Sequence, residues 1–242
     1  ERSGQIRPLW SPKGKVLTDE MPADHLHQHA VFFAWVNTTF EGRHVDFWNS
    51  ALKEGKVEHV RVLATTEGPV FGGFRVALRH VALLPGGPKP ALDEVWDVRV
   101  FNLPDRNVFD LESVQTCASE APLVINEYHY GGMGVRGNEG WNVKDGGGFL
   151  TSEGKTRADG NHTRPRWVDL FGPVGGDTPG VTALDHPSNF RFPQPVRLHP
   201  SMPYFCFAPM VLGEFRIEPG KPYRSTFRFD LHDGPVDPAR AD

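Results

Sequence analysis

The segment Phe227-Arg228-Phe229-Asp230-Leu231 alternates apolar and charged residues without a break. Successive side chains of a β-strand point to opposite faces of the sheet, so this alternation predicts a strand with one face in a core and one in water. The predicted strand spans residues 223–231, and short apolar or alternating runs predict further strands at residues 57–64, 73–84, 94–101, 108–117, 123–130, 181–184 and 204–208. Turn-forming Gly and Pro residues separate the runs, and no 12-residue window has a helical period. An all-β fold, an antiparallel β-sandwich with long loops, is therefore expected.

The composition agrees with short strands joined by many turns. The chain has 242 residues, of which 26 are Gly and 22 are Pro, and we expect one domain over residues 1–242. A net charge of −4 disfavours nucleic-acid binding. No apolar run reaches the roughly 18 residues that a membrane span needs, which favours a soluble protein without a membrane partner. Cys117 and Cys206 are too few for a disulfide framework and are expected as buried thiols.

Eleven histidines are present, and three of them lie in Asp24-His25-Leu26-His27-Gln28-His29, directly before an apolar run. If this segment is extended, the three imidazoles share one face with neighbours about 6.6 Å apart along the strand. His27 and His29 could then share one divalent metal ion, with further ligands from elsewhere. A polar strand entry, whose histidines bond to backbone or water, is the alternative.

A second cluster is Asn126-Glu127-Tyr128-His129-Tyr130-Gly131-Gly132. In an extended strand Glu127 and His129 would share a face, and a carboxylate beside an imidazole suits acid–base chemistry on a hydroxyl or glycosidic oxygen. A surface ion pair at a strand end is the alternative. Glu127 with Glu153 is also the best candidate for a glycosidase carboxylate pair.

Two loops carry donors that could orient a ligand. Lys155 and Arg157 follow a triple glycine, and His186, Asn189 and Arg191 lie in a proline-bounded segment in which the arginine stands between two phenylalanines. Fork-like donors beside aromatic faces suit sugars and carboxylates. A solvated charged loop and ordinary loop packing are the respective alternatives.

Taken together, these motifs resemble a known family over about residues 6–234. They are Pro22-Ala23-Asp24-His25-Leu26-His27-Gln28-His29, Glu127-Tyr128-His129-Tyr130-Gly131-Gly132, Thr151-Ser152-Glu153-Gly154-Lys155-Thr156-Arg157 and His186-Pro187-Ser188-Asn189-Phe190-Arg191. The chain resembles a bacterial family of unknown function that is labelled PmoA-like, whose first motif commonly has histidine where Gln28 stands. The resemblance implies a β-sandwich in sugar-utilisation contexts, in the bacterial cytoplasm or periplasm. The label itself implies a copper or iron oxygenase.

The leading interpretation is a carbohydrate-active enzyme that hydrolyses, eliminates or epimerises a small glycoside or an oxidised sugar. Its fold would be a β-sandwich. One possibility is a large double-sheet supersandwich like that of the sugar mutarotases. We expect the catalytic residues to be His27, His29, Glu127 and His129. The expected substrate-binding residues are His25, Lys155, Arg157, His186, Asn189 and Arg191.

Three points stay open at this stage. The rivals to the enzyme are a non-catalytic sugar-binding module and a copper- or iron-dependent oxygenase that uses His27 and His29. Convergence of Glu127 and the early histidines in one pocket would favour the enzyme, whereas their dispersal on the surface would favour the binding module. One divalent metal ion is the cofactor considered, and a small carbohydrate is the expected ligand. Sheet edges favour self-association, so a homo-oligomer is also considered.

Overall fold

Seventeen β-strands build the protein in residues 3–23 and 25–241, the part of the chain described by the computed structural model. They are β1 Gln5–Ile6, β2 Val31–Ala34, β3 Thr38–Phe40, β4 Arg43–Val45, β5 Gly55–Thr66, β6 Phe71–Leu84, β7 Gly87–Phe101, β8 Asn107–Cys117, β9 Leu123–Ile125, β10 Gly132–Arg136, β11 Gly148–Thr151, β12 Trp167–Phe171, β13 Gly180–Asp185, β14 Val196–Leu198, β15 Tyr204–Phe207, β16 Phe215–Ile217 and β17 Tyr223–His232. Four short 3-10 turns and one helix, α1 Pro238–Ala241, complete the assigned elements. The predicted all-β class is confirmed.

The alternation in β17 has the predicted consequence. Phe227, Phe229 and Leu231 are buried, whereas Arg228 is exposed on the other face. Arg228 forms a two-pronged ion pair with Asp110 on the neighbouring strand β8, at 2.7 and 2.8 Å. One face of this sheet is therefore apolar and the other carries charge pairs, as a half-covered antiparallel sheet requires.

The strands form three sheets in which every pairing is antiparallel. The order is β1-β2-β10-β15-β14 in the first, β11-β12-β13-β17-β8-β7-β6-β5 in the second and β16-β9-β3-β4 in the third. The five-stranded and eight-stranded sheets face each other as a sandwich, and the four-stranded sheet extends this core.

Aromatic side chains fill the space between the two larger sheets. The rings of Phe207 and Phe227 stack with centroids 5.2 Å apart, and the rings of Trp35 and Tyr223 meet edge to face at 5.5 Å. Each of these side chains is buried, and full burial of one phenylalanine contributes about 1.5–3 kcal/mol. The five-stranded sheet is thereby held in a fixed position, and its edge strand β14 forms part of the candidate site.

The strand predicted for residues 123–130 is shorter than expected. β9 ends at Ile125, and the chain then turns at Gly131 and Gly132, whose φ angles are +124° and +88°. A Cβ at Gly132 would meet the carbonyl oxygen of Phe207 at 2.1 Å, so the close approach of β10 and β15 requires glycine there. Residues 126–130 leave the sheet and become a loop.

The two cysteines are both free thiols; Cys206 is buried as predicted and Cys117 is half-buried. Cys206 lies in β15, where its sulfur accepts hydrogen bonds from the Gly131 amide and the Tyr204 hydroxyl. Within the described residues, no helix has the length and apolar character needed to cross a membrane.

Candidate functional site

A cavity of about 260 Å³, here called the histidine pocket, lies beside the edge strand β14 of the five-stranded sheet. It is lined by His25, His27, Gln28, Trp48, Asn49, His129, Tyr130, Arg197, His199, Met202 and Tyr204. Four of the chain's eleven histidines thus converge on one cavity. Arg197 belongs to β14 and Tyr204 to β15, whereas the other lining residues come from turns and loops.

A continuous series of ring contacts forms one wall of the histidine pocket. His27 meets the indole of Trp48 edge to face with ring centroids 4.6 Å apart. Trp48 then contacts Tyr130 at 5.7 Å, and Tyr130 contacts His129 at 4.7 Å. On the other side Trp48 stacks on Tyr204 at 5.8 Å. Trp48 is therefore the ring that joins the two sides of the pocket.

The turn that presents Trp48 is fixed by a buried carboxylate. Asp46 is only 2% exposed, and its Oδ1 accepts hydrogen bonds from the backbone amides of Trp48 at 2.7 Å and Asn49 at 2.9 Å. Its Oδ2 accepts a further bond from Asn49 Nδ2 at 2.5 Å. Aspartate is suited to such a turn because its short side chain reaches amides two and three residues ahead.

Tyr130 is held as a neutral phenol against this turn. Burial and a hydrogen bond with Tyr128 raise the pKa of Tyr130 well above its ordinary value, and a hydrogen bond with Asn49 opposes that rise. At neutral pH the side chain is therefore protonated, so it serves as a hydrogen-bond donor or acceptor rather than as an anion.

His199 is a neutral imidazole whose tautomer can be assigned from its contacts. Its Nδ1 accepts hydrogen bonds from the backbone amides of Ser201 at 3.2 Å and Met202 at 3.0 Å. An acceptor Nδ1 carries no proton, so the proton is on Nε2. Burial, together with the nearby charge of Arg197, lowers the pKa of His199 to about 4. His199 therefore offers the pocket a neutral N–H donor.

His129 is the second histidine of the pocket whose pKa is shifted. Burial lowers its pKa, and the charges of Arg197 and His162 lower it further. The His129 carbonyl oxygen accepts a hydrogen bond from His162 Nε2 at 3.0 Å, which fixes the backbone at this position. A neutral imidazole at pH 7 can accept a proton, so His129 is equipped to act as a base.

The structure places only part of the first predicted cluster at the pocket. His25 and His27 line it, but residues 25–28 form a turn in which the Gln28 amide donates to the His25 carbonyl oxygen at 2.8 Å. His29 is 2% exposed, pairs with Glu20 in an isolated β-bridge and does not line the pocket. The expectation of three histidines on one strand face is wrong because the strand begins only at Val31. Asp24 lies outside the described residues.

The predicted Glu127–His129 pair is not formed either. Because β9 ends at Ile125, the two residues lie in a loop, and only His129 lines the pocket. Glu127 is exposed, and its backbone carbonyl accepts a hydrogen bond from Asn37 Nδ2 at 3.4 Å. Glu153, proposed as its glycosidase partner, is exposed and bonded to Ser152. Neither carboxylate lines the histidine pocket.

Three predicted ligand-binding residues instead fasten the backbone. Arg157 Nη1 donates to the carbonyl oxygens of His199 and Met202, the latter at 2.8 Å, and therefore supports the pocket wall from behind. Burial lowers the pKa of Arg157 to about 10, so it stays charged at neutral pH. Asn189 bonds the backbone of Thr226 and the side chain of Asp185. Arg191 Nη1 donates to two carbonyl oxygens of the 209–213 turn, each at 2.7 Å.

The remaining predicted residues also lie away from the pocket lining. His186 is exposed and its Nδ1 is bonded to the Ser188 hydroxyl at 2.7 Å. Lys155 lies in the turn after β11, where its backbone is bonded to Thr151. Of the ten predicted site residues, His25, His27 and His129 line the histidine pocket.

Sequence reasoning missed Trp48, Asn49 and Arg197, and it assigned no role to His199. One signal was available for the last two. Val196-Arg197-Leu198-His199 alternates apolar and polar residues, and period-2 alternation places Arg197 and His199 on the same face. For Trp48 and Asn49 the available signal is Asp46, two and three residues before them, which is typical of a side-chain-bonded turn.

The described residues supply no metal centre of the predicted kind. Among residues 3–23 and 25–241, no three His, Cys, Asp or Glu side chains form a group that could hold a metal ion. The predicted pair is separated because His27 lines the pocket and His29 does not.

The fold and the site define a β-sandwich protein with a small, polar, histidine-rich pocket at the edge of one sheet. The chain belongs to a family described as "Family of unknown function (DUF6807)", whose sequence model matches residues 1–242. No curated protein and no solved structure matches the chain. The PmoA-like resemblance and the comparison with sugar mutarotases therefore stay predictions.

Proposed function

We propose that the protein is a carbohydrate-active enzyme that works on a monosaccharide-sized ligand in the histidine pocket. The observation that carries this proposal is the convergence of aromatic walls, neutral imidazoles and fixed polar donors on one small cavity. Its volume of about 260 Å³ is just below the range of about 300–1,000 Å³ usual for drug-sized ligands, which suits a single sugar ring.

The walls of the pocket offer both kinds of contact that a sugar needs. Trp48 and Tyr130 present ring surface for the C–H faces of a pyranose or furanose. Asn49, the Tyr130 hydroxyl and the protonated Nε2 of His199 supply polar groups for hydroxyls. Asp46 and Arg157 hold these groups in place from outside the cavity.

Proton transfer is the chemistry that the pocket supports best. His129, whose pKa is lowered by burial and nearby cations, is a neutral imidazole at neutral pH, and its unprotonated nitrogen can accept a proton. His199 donates a hydrogen bond to a ligand oxygen and thereby stabilises negative charge that develops there. A base and an electrophilic donor in one cavity suit elimination or epimerisation, and activation of water for hydrolysis is the third option.

The main rival is a sugar-binding module without catalysis, which the positions of Glu127 and His29 outside the pocket favour. It would use the same aromatic walls but would need no histidine with a displaced pKa. Two such histidines in one cavity favour the enzyme, because perturbed titrations cluster at functional sites. The oxygenase alternative requires a set of metal ligands, and the described residues do not supply the predicted one.

Calorimetric titration with a panel of monosaccharides, followed by NMR detection of products, tests the proposal. We expect binding to the wild type and its loss in Trp48→Ala, while Trp10→Ala, which removes an exposed indole outside the pocket, binds normally. Turnover should disappear in His129→Gln although binding remains. Binding without turnover in the wild type would favour the binding module. Equal effects of the two tryptophan variants would contradict the assignment of the site.

A further inference from the structure

The lining of the histidine pocket is free of acidic side chains, as far as the described residues show. The chain is rich in carboxylates, with 30 Asp and Glu against 26 Lys and Arg, yet no Asp or Glu is among the residues that line the cavity. The lining does include one guanidinium, Arg197, and four imidazoles. Charge of one sign in a cavity attracts a ligand of the opposite sign, so the lining favours an anionic ligand.

Arg197 is also unmatched by a protein carboxylate. It forms no ion pair within residues 3–23 and 25–241, and its side-chain hydrogen bond there is a long one, 3.4 Å from Nη1 to the amide oxygen of Asn161. Other arginines are used differently: Arg228 pairs with Asp110, and Arg136, buried beneath the pocket, bonds Gln28 and Met202. A guanidinium at a cavity without a carboxylate partner has its donors available to a ligand.

The strand geometry fixes Arg197 at this position. Its backbone is paired with Cys206 of β15, and the flanking residues Val196 and Leu198 are buried. The charge of Arg197 acts on both His129 and His199, since it lowers the pKa of each. One cation therefore stands close to the base and to the neutral donor.

We infer that the ligand of the histidine pocket carries a carboxylate that pairs with Arg197, so that the substrate class is a monosaccharide acid such as a uronate or an aldonate. This inference rests on the proposed function and narrows it. A single planar guanidinium matches the two oxygens of a carboxylate. Phosphate sites usually add backbone amides from a helix N-terminus or an anion nest, whereas Arg197 is presented from the middle of a strand.

A carboxylate held by Arg197 also selects the reaction. Pairing with a cation makes the adjacent C–H bond more acidic, because the electron pair released from carbon moves into the carboxyl group as an enediolate that Arg197 stabilises. The proton passes to the neutral imidazole of His129. In an epimerisation, a water molecule protonates the opposite face of the carbon and His129 releases its proton to the solvent; in an elimination, His129 passes the proton to the leaving oxygen as the β C–O bond breaks. No oxidant or reductant is needed.

Isothermal titration calorimetry with matched ligands tests the carboxylate. The probes are D-glucuronate and D-gluconate, with D-glucose as the neutral control and D-glucose 6-phosphate as the anionic one. We expect one or both acids to bind at least about 30-fold more tightly than glucose, because a close charge pair at a binding site contributes on that scale. Arg197→Gln should reduce the affinity for the acid to that for glucose, and Arg197→Lys should give an intermediate affinity. Arg216 is an exposed arginine elsewhere in the molecule, so Arg216→Gln should leave the affinity unchanged. Circular dichroism checks that each variant is folded.

The outcomes separate this inference from the proposed function. If acids and glucose bind with equal affinity and Arg197→Gln changes neither, the inference of a ligand carboxylate is wrong. The proposed sugar site would not be affected by that result. Preference for the phosphate overturns the carboxylate as well. Failure of every sugar to bind overturns both proposals. In D₂O, exchange of the hydrogen next to the carboxyl group, followed by proton NMR, should occur with the wild type and stop in His129→Gln; exchange that survives in that variant contradicts the role of His129.

Discussion

Histidine is used in two opposite ways in this molecule. In the core, His80 Nε2 and Glu94 Oε2 are hydrogen-bonded at 2.7 Å, and their side chains are 0% and 1% exposed. The other oxygen of Glu94 accepts hydrogen bonds from Trp96, Ser113 and Gln115 at 2.5–3.0 Å. In the histidine pocket, His129 and His199 face a cavity instead. The difference teaches that the presence of a histidine does not by itself indicate its role. The groups that the histidine contacts indicate whether it serves stability or binding.

The charge state of the core cluster follows from a competition. Burial alone raises the pKa of Glu94, but His80, Ser113 and Trp96 favour the charged form, and the net result is a lowered pKa. A carboxylate can thus remain ionised inside a sandwich when the fold itself supplies its donors. For His129 and His199 the described pocket lining offers no carboxylate, and desolvation together with the charge of Arg197 lowers the pKa of each.

Removing the core carboxylate should have the largest effect. Glu94→Ala leaves the imidazole of His80 and the donors of Trp96 and Gln115 buried without their acceptor, and the free energy of unfolding should fall by about 3–5 kcal/mol. Urea unfolding followed by fluorescence measures this loss. Glu127→Ala removes an exposed carboxylate and should stay within about 0.5 kcal/mol of the wild type. Similar losses in both variants would remove the distinction between the two regions.

The opposite behaviour is expected for the pocket base. His129→Gln should leave the free energy of unfolding within about 0.5 kcal/mol and lower kcat by about 10²–10⁴-fold on the substrate found with the sugar panel. The matched control is His186→Gln, since His186 is exposed and bonded to Ser188 outside the pocket. It should change neither quantity. A loss of stability as large as that of Glu94→Ala would show that His129, like His80, serves the stability of the fold.

Asp46 combines features of the two regions, because it is buried like Glu94 but supports the histidine pocket. Asp46→Ala leaves the amides of Trp48 and Asn49 without their acceptor, and we expect a loss of about 1–3 kcal/mol in unfolding free energy with weaker ligand binding. Denaturant unfolding and calorimetry give the two values. Asp145→Ala, at an exposed site, serves as the control. Normal ligand affinity in folded Asp46→Ala would show that the turn does not depend on this carboxylate.

The smallest effect concerns pH. The pKa of His199 is lowered to about 4 in the fold by burial, Arg197 and other nearby cations, from 6.5 in the unfolded chain. Between these values the unfolded state binds more protons, so this residue makes stability fall as the pH drops from about 6.5 to about 4. Asp185, with a pKa raised to about 6 by burial, acts in the opposite direction in part of that range. The measurement is therefore the difference in Tm between wild type and His199→Asn. We expect the wild type to lose more Tm on acidification, and parallel pH profiles would contradict the assignment.

The parts of the fold that follow from local patterns could be predicted from the sequence. The period-2 alternation of residues 227–231 identified β17 and its buried face, because each residue's side depends only on its position in the strand. The end of β9 at Ile125 does not follow from the local pattern, because its pairing partners β3 and β16 lie far away in the chain. The turn at His25–Gln28 was missed for a related reason, since histidine spacing alone does not separate a turn from a strand.

The arginines show which part of the candidate site could not be predicted from the sequence. Arg157, Arg191 and Arg197 all lie among aromatic and polar residues, and the sequence favoured the first two as ligand-binding residues. The structure shows that Arg157 and Arg191 donate to backbone carbonyls, whereas Arg197 lines the cavity. Which carbonyls a turn leaves without an amide partner depends on the tertiary structure, and an arginine is often recruited to them. No pattern of residue types encodes that choice.

The wall of the histidine pocket is assembled from four stretches of chain, near residues 25–28, 46–49, 129–130 and 197–204. No one of these peptides carries the site. Local opening of any single turn would separate Trp48 from the rings on either side of it. The proposed ligand would contact all four stretches at once, so amide hydrogen exchange should slow in all four together when the pocket is filled.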